Sequence, residues 1–354
     1  MDFSKAFDKV SHDRLLYKLD RAGIDPHARA WIKSFLSERT QKVVIDGVES
    51  TAVPVTSGVP QGSVLGPILF LMYIDDMPEY TQYSRVRLFA DDTIVYLTVQ
   101  SMDDCNKLQE DLKNLERWEQ DWLMEFHPAK CHVLRITRKK TRTSFPYSLH
   151  GQILQEVKSA KYLGVTISDD MSWNKHVDST AAKANKKLGF LKRNVKVKDS
   201  SLKEKAYKAI VRPTVEYCSS VWDPPFKTQA DTLERVQRRA ARWVTGRFHN
   251  TSSITDMLND LGWRELSQRR ADNRLCMAYK VVHGLVAIPV GHLISLQRDG
   301  VHLQPIYAKT NYYLYSFFPR TISDWNKLPQ DILEAESIAI FRRRVATLTH
   351  HMPY

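Results

Sequence analysis

The chain has 354 residues, of which 43% are hydrophobic and 26% are charged, so its composition excludes an intrinsically disordered protein. It carries 52 Lys and Arg against 40 Asp and Glu, a formal net charge of +12. A basic balance of this size is unusual for an enzyme of small neutral metabolites and favours a polyanionic partner. The length predicts two or three domains.

The positive charge is concentrated in the second half of the chain. Residues 1–170 hold 22 Lys and Arg against 24 Asp and Glu, a net charge of −2. Residues 171–354 hold 30 against 16, a net charge of +14. Two interpretations remain open: a solvated basic face, or a nearly neutral catalytic half followed by an anion-binding half.

The cysteines and the apolar segments predict an intracellular location. The four cysteines are scattered and none has the spacing of a zinc site, which suits a reducing compartment. The first residues resemble neither a signal peptide nor a transit peptide. The longest apolar run, residues 64–74, is too short to span a bilayer. We therefore expect a cytoplasmic or nuclear protein that is not secreted and has no membrane partner or transmembrane segment.

The first elements predicted along the chain are two helices, over residues 11–22 and 27–37. A hairpin follows, since Asp46-Gly47 is a turn signal between two strand-like segments. Residues 57–62 form a loop rich in glycine and proline. An apolar helix is predicted over residues 64–77.

Beyond that helix, strand-like and helical patterns alternate. Strands are predicted over residues 85–90, 93–99, 131–136 and 162–167. Asp91-Asp92 joins the first two strands, and Ser101 caps a helix with apolar residues at helical spacing. After Trp173 the pattern is helical and basic. Helices mixed with hairpins indicate an α+β fold rather than a parallel, doubly wound sheet.

The pair Asp91-Asp92 is a candidate metal site. It lies between two largely apolar strands, where two adjacent carboxylates repel each other and gain nothing from the strands. A divalent cation would relieve that repulsion, although a plain charged turn is an equal alternative. A metal needs further oxygen ligands. Upstream, Asp2 is the better candidate and Asp8 the weaker one.

Five segments together resemble the reverse transcriptases of non-long-terminal-repeat (LINE or jockey-like) retrotransposons. They occur in the family's order and at plausible spacing: residues 2–12 (DFSKAFDKVSH), 57–67 (SGVPQGSVLGP), 89–92 (FADD), 127–131 (HPAKC) and 162–164 (YLG). Any one of these motifs would be weak. The ordered set over residues 1–170 identifies the chain as similar to an RNA-directed DNA polymerase.

The resemblance implies a right-hand polymerase fold and two-metal chemistry. The palm would be an antiparallel sheet with helices. In this family, a primer 3′-hydroxyl attacks the α-phosphate of a deoxynucleoside triphosphate, assisted by two Mg²⁺ ions, with Mn²⁺ as a possible substitute. By position, Asp2 and Asp91 would be the principal metal ligands and Asp92 would complete the cluster. RNA template and DNA primer are the implied partners.

The same resemblance implies further site residues around the carboxylates. The Phe3 carbonyl would supply an oxygen, and Phe7 would exclude a ribose 2′-hydroxyl; its alternative is an ordinary core residue. Lys130 would protonate the departing pyrophosphate, although alone it reads as a surface lysine. Two loops would contact the substrates: Pro60, Gln61 and Gly62 along the incoming base and template, and Tyr162, Leu163 and Gly164 at the primer end.

The basic half would form a thumb-like region. Two helices each pair an apolar face with a row of cations, which would contact phosphates without reading sequence. The first row contains the predicted nucleic-acid contacts Lys183, Lys186, Lys187, Lys192 and Arg193; the second contains Arg235, Arg238, Arg239, Arg242 and Arg247. A solvated helical bundle and a protein-binding surface are the alternatives.

We expect three regions: a palm over residues 1–172, a basic helical thumb-like region over 173–250, and a mostly helical C-terminal region over 251–354. Only Met1 precedes the first motif, so the fingers of this family are missing and we expect a chain truncated at its N-terminus. The alternative function is therefore a catalytically silent fragment that binds nucleic acid.

Overall fold

The structure is a computed structural model that describes residues 1–139, 143–288 and 291–348. The chain divides into two units, Met1–Leu163 and Gly164–Tyr354. Helices mixed with short strands confirm the predicted α+β class. The division into regions 1–172, 173–250 and 251–354 stays a prediction. No helix within the described ranges is both long and apolar enough to cross a membrane.

The first unit combines four helices with short strands. Its helices are α1 (His12–Arg21), α2 (Pro26–Leu36), α3 (Leu65–Ile74) and α4 (Met102–Trp122). Its strands are β1 (Thr40–Gln41), β2 (Val44–Ile45), β3 (Val48–Glu49), β4 (Val53–Pro54), β5 (Arg85–Phe89), β6 (Asp92–Tyr96), β7 (His132–Leu134), β8 (Ser148–Leu149), β9 (Gln152–Ile153), β10 (Gln155–Val157) and β11 (Ser159–Tyr162). One core joins them, with Phe70, Trp118 and Phe126 fully buried.

Helix α4 forms where its cap and its apolar spacing both predicted it. The Ser101 side chain accepts from the Asp104 backbone, and the Asp104 carboxylate accepts from the Ser101 backbone, which is a capping box. The helix buries Leu112, Leu115 and Trp118 on one face. It therefore provides a rigid support beneath the rest of the unit.

The hairpin of β5 and β6 differs from the prediction by one residue. Phe89 pairs with Asp92, so Ala90 and Asp91 form the two-residue turn and Asp92 is the first residue of β6. Ala90 has a left-handed φ of 50°, as tight two-residue hairpins require. The two carboxylates therefore occupy different positions, one in the turn and one in a strand.

The strand pairing is mostly antiparallel, with one exception. The pairs β1–β4, β2–β3, β5–β6 and β8–β9 are antiparallel, whereas β7 and β10 are parallel. The connection from β7 to β10 contains the β8–β9 hairpin and is long enough for a parallel return. The expected palm sheet is thus a set of small paired strands rather than one wide antiparallel sheet.

The second unit is predominantly helical. It begins with β12 (Val165–Ser168), and its helices are α5 (Asn174–Asn194), α6 (Ser200–Ala206), α7 (Arg212–Glu216), α8 (Ser219–Trp222), α9 (Lys227–Thr245), α10 (Ile254–Asp260), α11 (Leu266–Val282), α12 (Asn311–Leu314), α13 (Phe317–Trp325), α14 (Gln330–Leu333) and α15 (Ile338–Thr347). A π-helical segment, Tyr207–Val211, joins α6 to α7. The predicted helical pattern after Trp173 is confirmed.

The two long basic helices are amphipathic as predicted. Their apolar positions are all buried: Ala181, Ala184, Leu188 and Leu191 on α5, and Leu233, Val236, Ala240 and Val244 on α9. Burial of this apolar surface stabilises the helix pair at about 25 cal/mol per Å². The packing leaves the cationic side chains on the outer faces.

A buried network of opposite charges joins distant parts of the second unit. The Asp223 carboxylate, which follows α8, accepts from Arg270 Nε at 2.8 Å and also from Arg274, both on α11. Arg274 also binds Asp324 on α13, and Arg320 Nη1 lies 3.3 Å from Asp223 Oδ2. Arg270 and Arg274 are almost completely buried. Each buried charge therefore depends on its partners for the solvation that it has lost.

Replacing Asp223 with Asn should destabilise the protein by about 3 kcal/mol, because two buried guanidinium groups lose their shared carboxylate. Urea unfolding monitored by circular dichroism measures the change. The matched control is Asp260→Ala, which breaks the exposed pair with Arg247 and should cost less than about 1 kcal/mol. Equal losses in the two variants would contradict this role.

Candidate active site

The first residues of the chain lie as an extended segment against the stretch that follows α4. Ser4 N donates to Glu125 O at 2.8 Å, and His127 N donates to Asp2 O at 2.9 Å. The two stretches run antiparallel. These two bonds hold the backbone of residues 2–4 against residues 125–127.

The same segment contacts β6 on its other side. The Met1 amine donates to Thr93 O at 2.6 Å. Burial lowers the pKa of that amine, while the acidic groups of Cys131, Asp2 and Asp92 act in the opposite direction. Met1 is thus paired with Thr93, so Asp2 and Asp92 are each one residue away from the same backbone contact.

Asp91 lies in the turn of the hairpin and is exposed, as is Asp92 at the start of β6. Within the described residues, no three His, Cys, Asp or Glu side chains are grouped to hold a metal, and the side chains of Asp2, Asp91 and Asp92 have no hydrogen bond or salt bridge. The donor set is nevertheless all carboxylate, which is what hard cations such as Mg²⁺ prefer.

Two phenylalanines of the first motif have different surroundings. The Phe3 ring is buried and stacks on Phe126 with centroids 4.5 Å apart. The two residues form a non-hydrogen-bonded antiparallel pair, so the Phe3 carbonyl points towards the β6 side. The Phe7 ring is half-buried and stacks on Phe70 with centroids 4.4 Å apart. Phe7 is thus part of the core and also partly accessible.

The glycine-rich loop packs directly on the first motif. Gly58 N donates to Val10 O, and Val59 N donates to Phe7 O, both at 2.8 Å. Gly58 has a φ of +89°, and a Cβ atom there would lie 2.8 Å from the Asp8 backbone. Only glycine combines this conformation with so close an approach.

A side-chain contact at the tip of the loop joins it to the first motif. Gln61 Nε2 donates to the Asp8 carboxylate at 3.0 Å, so Asp8 serves the loop. Gly62, with a φ of +84°, lies in open space, and the Pro60 carbonyl is in close contact with Gly66. The loop residues Pro60, Gln61 and Gly62 therefore lie beside the first motif, at its surface.

Lys130 ends a 3₁₀ turn over Pro128–Lys130, and its N–H donates to His127 O at 2.9 Å. Since His127 binds the Asp2 backbone, the turn is anchored to the first motif. The Lys130 side chain is exposed and forms no ion pair within the described residues. A surface cation is thus connected to Asp2 through one short backbone path.

The end of β11 lies close to Asp92. Burial raises the pKa of the half-buried Tyr162 hydroxyl, and the charge of Asp92 raises it further. Leu163 has a left-handed φ of 45°. Gly164, with a φ of +84°, begins the second unit. A Cβ atom added at Gly164 would lie 2.9 Å from the Tyr217 ring. Of this segment, Tyr162 is thus the residue whose pKa the charge of Asp92 affects.

The predicted cations of α5 are all exposed: Lys183, Lys186, Lys187, Lys192 and Arg193. Lys187 Nζ donates to Thr214 at 2.9 Å. Burial and the charge of Arg239 lower the pKa of Lys192. Arg239 also donates to Asn185 at 3.1 Å, so the cationic faces of α5 and α9 adjoin.

Sequence reasoning missed two contacts of the site: the pairing of residues 2–4 with residues 125–127, of which His127 alone belongs to a predicted motif, and the bond between Gln61 and Asp8. Residues 125–127 form the second edge beside Asp2, and a signal existed in the buried Phe126 between two polar residues, but three residues are too few for a strand pattern. The contact between Gln61 and Asp8 joins residues 53 positions apart. No local pattern predicts such a pair.

Residues 1–167 match the family described as reverse transcriptase (RNA-dependent DNA polymerase), and this part of the chain belongs to it. The family predicted from the ordered motifs is confirmed.

Relatives from mobile elements agree with this assignment. The chain is 30% identical over 258 residues to the RNA-directed DNA polymerase from mobile element jockey of Drosophila melanogaster, which covers 70% of this chain and 28% of that protein. It is 28% identical over 323 residues to the protein named probable RNA-directed DNA polymerase from transposon BS of the same fly, covering 85% and 35%. The protein named probable RNA-directed DNA polymerase from transposon X-element, also of Drosophila melanogaster, is 30% identical over 255 residues, which cover 70% of this chain and 28% of that protein. The chain thus spans 28% to 35% of the length of these relatives.

Replacing Gly58 with Ala should destabilise the protein by at least about 2 kcal/mol, because the added Cβ overlaps the Asp8 backbone and the left-handed conformation is itself strained. The matched control is Gly23→Ala, which has a φ of +74° but no atom within 4 Å and should show the strain alone, about 1 kcal/mol. Urea unfolding measures both. If the two variants lose equal stability, the close approach of the loop is wrong.

Proposed function

We propose that this chain is the polymerase part of a reverse transcriptase of a non-long-terminal-repeat retrotransposon. It would extend a DNA primer on an RNA template with deoxynucleoside triphosphates. One observation supports this proposal: Met1 pairs with Thr93 of β6, so Asp2 and Asp92 flank the same backbone contact in a segment that matches the reverse transcriptase family. Two neighbouring carboxylates without ion-pair partners within the described residues suit the chemistry of phosphoryl transfer.

Asp2, Asp91 and Asp92 would hold two Mg²⁺ ions, or Mn²⁺ in their place. The residues fit this role because all three side chains are carboxylates free of competing hydrogen bonds within the described part of the chain. Bound metal ions would stabilise the negative charge that develops on the attacking and leaving oxygens. The Phe3 carbonyl, which points to the same side, would add an oxygen.

The surrounding residues would orient the substrates. Phe7, held against Phe70, would exclude a ribose 2′-hydroxyl by its bulk. The loop of Pro60, Gln61 and Gly62 would lie along the incoming base and template. The anchoring of this loop on the first motif supports that role, because it holds the loop backbone in place and leaves the tip of the loop exposed.

Two further segments would act at the reacting ends. Lys130 would donate a proton to the departing pyrophosphate, a role supported by its exposed and unpaired ammonium among the described residues and by its link through His127 to Asp2. Tyr162, Leu163 and Gly164 would seat the primer end. The influence of Asp92 on the pKa of Tyr162 supports this position.

The exposed lysines of α5 would bind the phosphates of the primer and template. We place this activity inside the cell, in the cytoplasm or nucleus. The four cysteines are free thiols, which suits a reducing compartment.

The polymerase proposal is tested by Mg²⁺-dependent primer extension on an RNA template with the 354-residue chain. Asp91→Ala and Asp92→Ala should each reduce extension by about 100-fold or more, because a metal-binding carboxylate contributes several kcal/mol in the transition state. Asp103→Ala, which removes an exposed carboxylate of another Asp-Asp pair, is the matched control and should retain activity. Extension that is absent, or equal in all variants, would refute the proposal for this chain.

The second candidate is a nucleic-acid-binding protein without catalytic activity. Its support is that no three His, Cys, Asp or Glu side chains of the described residues are grouped to hold a metal, together with the adjoining cationic faces of α5 and α9. Binding through those faces needs no carboxylate. The two candidate functions therefore predict different results for primer extension and the same result for nucleic-acid binding.

Binding of an RNA–DNA duplex should weaken steeply with salt and be unaffected by Asp92→Ala. The double variant K183A/K186A should lower the slope of log K against log salt by about 1.8, since two phosphate contacts are lost. The control K33A/K113A removes two exposed lysines of the first unit. Fluorescence anisotropy at several salt concentrations measures the slope. A slope lowered equally by both double variants would exclude α5 as the binding face.

A further inference from the structure

Helix α4 has a buried carboxylate close to its C-terminal end. The Glu119 side chain is only 3% exposed, and its Oε1 accepts a hydrogen bond from the backbone N–H of Phe126. The Glu119 backbone carbonyl accepts from Met124 N at 3.0 Å. A carboxylate is costly to bury unless hydrogen bonds replace its lost hydration. Both the side chain and the backbone of Glu119 therefore bind the stretch that follows the helix.

The N–H of Phe126 is a donor that the first motif does not satisfy. Residues 2–4 pair with residues 125–127 so that Phe3 and Phe126 face each other without exchanging hydrogen bonds. In such a pair, the N–H of each residue points away from the facing strand. Phe126 is fully buried, so its N–H needs an acceptor on that other side. Glu119 is that acceptor.

A histidine from another element holds the same carboxylate. His150, in the turn between β8 and β9, places its Nε2 2.9 Å from Glu119 Oε2. The backbone N–H of His150 donates to Glu116 at 2.5 Å, so the turn is itself attached to α4. Burial raises the pKa of Glu119, whereas the bond from Phe126 and the charge of His150 act in the opposite direction. The carboxylate is thus fixed between two elements.

The position of Asp2 depends on this carboxylate through one backbone step. His127, directly after Phe126, donates from its N–H to Asp2 O at 2.9 Å, and the Phe126 ring stacks on Phe3 with centroids 4.5 Å apart. If the Phe126 N–H lost its acceptor, this stretch would shift and would take the first motif with it. A displacement of about 1 Å at a reacting site can lower a rate about 100-fold.

We propose that Glu119 is a positioning residue of the polymerase site, which holds the backbone of residues 125–127 so that Asp2 is placed for metal binding. This inference rests on the proposed polymerase function. Glu119 acts through Phe126 rather than on the substrates. The role requires a hydrogen-bond acceptor at this place and not a negative charge, so glutamine should fulfil it and alanine should not.

The test uses three variants of the 354-residue chain. Glu119→Ala leaves the Phe126 N–H without its acceptor, whereas Glu119→Gln keeps an amide oxygen that can accept from it. The matched control is Tyr73→Phe, which removes the bond from the buried Tyr73 hydroxyl to the Trp122 carbonyl at the same end of α4. This control leaves the bond between Glu119 and Phe126 in place.

The first measurement is steady-state primer extension on an RNA template with Mg²⁺. Glu119→Ala should lower kcat by about tenfold or more and change the KM for primer–template by less than about twofold, because Asp2 is displaced and duplex binding is not. Glu119→Gln and Tyr73→Phe should keep kcat within about threefold of the wild type. An unchanged kcat in Glu119→Ala, or an equal loss in either of the other variants, would overturn the proposal.

The second measurement is amide hydrogen exchange, followed by mass spectrometry of peptides that contain Ser4 and His127. Glu119→Ala should speed exchange at these amides by about tenfold or more, because the pairing of residues 2–4 with residues 125–127 loosens. Glu119→Gln and Tyr73→Phe should exchange as the wild type does. A wild type that does not extend primers would refute the polymerase function. Unchanged exchange in Glu119→Ala would refute the positioning role even for an active enzyme.

Discussion

The site in the first unit depends on one backbone pairing. The first residues of the chain bond to Glu125 and His127 on one side and to Thr93 on the other. This double attachment sets the position of Asp2 relative to Asp92, and the loop of Gly58 then packs on the residues that follow. Without this attachment, the first motif would not be held against β6, and neither the glycine-rich loop nor the turn of Lys130 would have a fixed position beside it.

Much of the fold follows from local patterns in the sequence. Helix α4 forms because its capping box and its apolar spacing agree, and α5 and α9 bury the apolar faces that their spacing predicts. The position of Asp92 is harder to predict from the sequence. A turn of Ala90 and Asp91 and a turn of Asp91 and Asp92 differ by only one residue of strand register. Only the pairing of Phe89 with Asp92 decides between them.

The remaining features join residues that are far apart in the chain. The contact of Arg239 with Asn185 needs α9 to pack on α5, and the contact of Gln61 with Asp8 needs the loop to fold back. Spacing within a helix predicts the arginine row but not what lies opposite. The motifs predict candidate residues for polymerase chemistry, whereas the mutual placement of those residues depends on tertiary packing.

The buried charges of the second unit have a consequence for how the protein would come apart. Arg274 on α11 binds Asp324 on α13, and Tyr279 on α11 packs against Phe341 on α15. These contacts bridge the stretch from residue 283 to residue 310. A protease that cut the chain there would produce two fragments that remain associated, since separation would expose the apolar surface that α11 shares with α13 and α15 and would break the pair of Arg274 and Asp324. The cut would be visible only after denaturation.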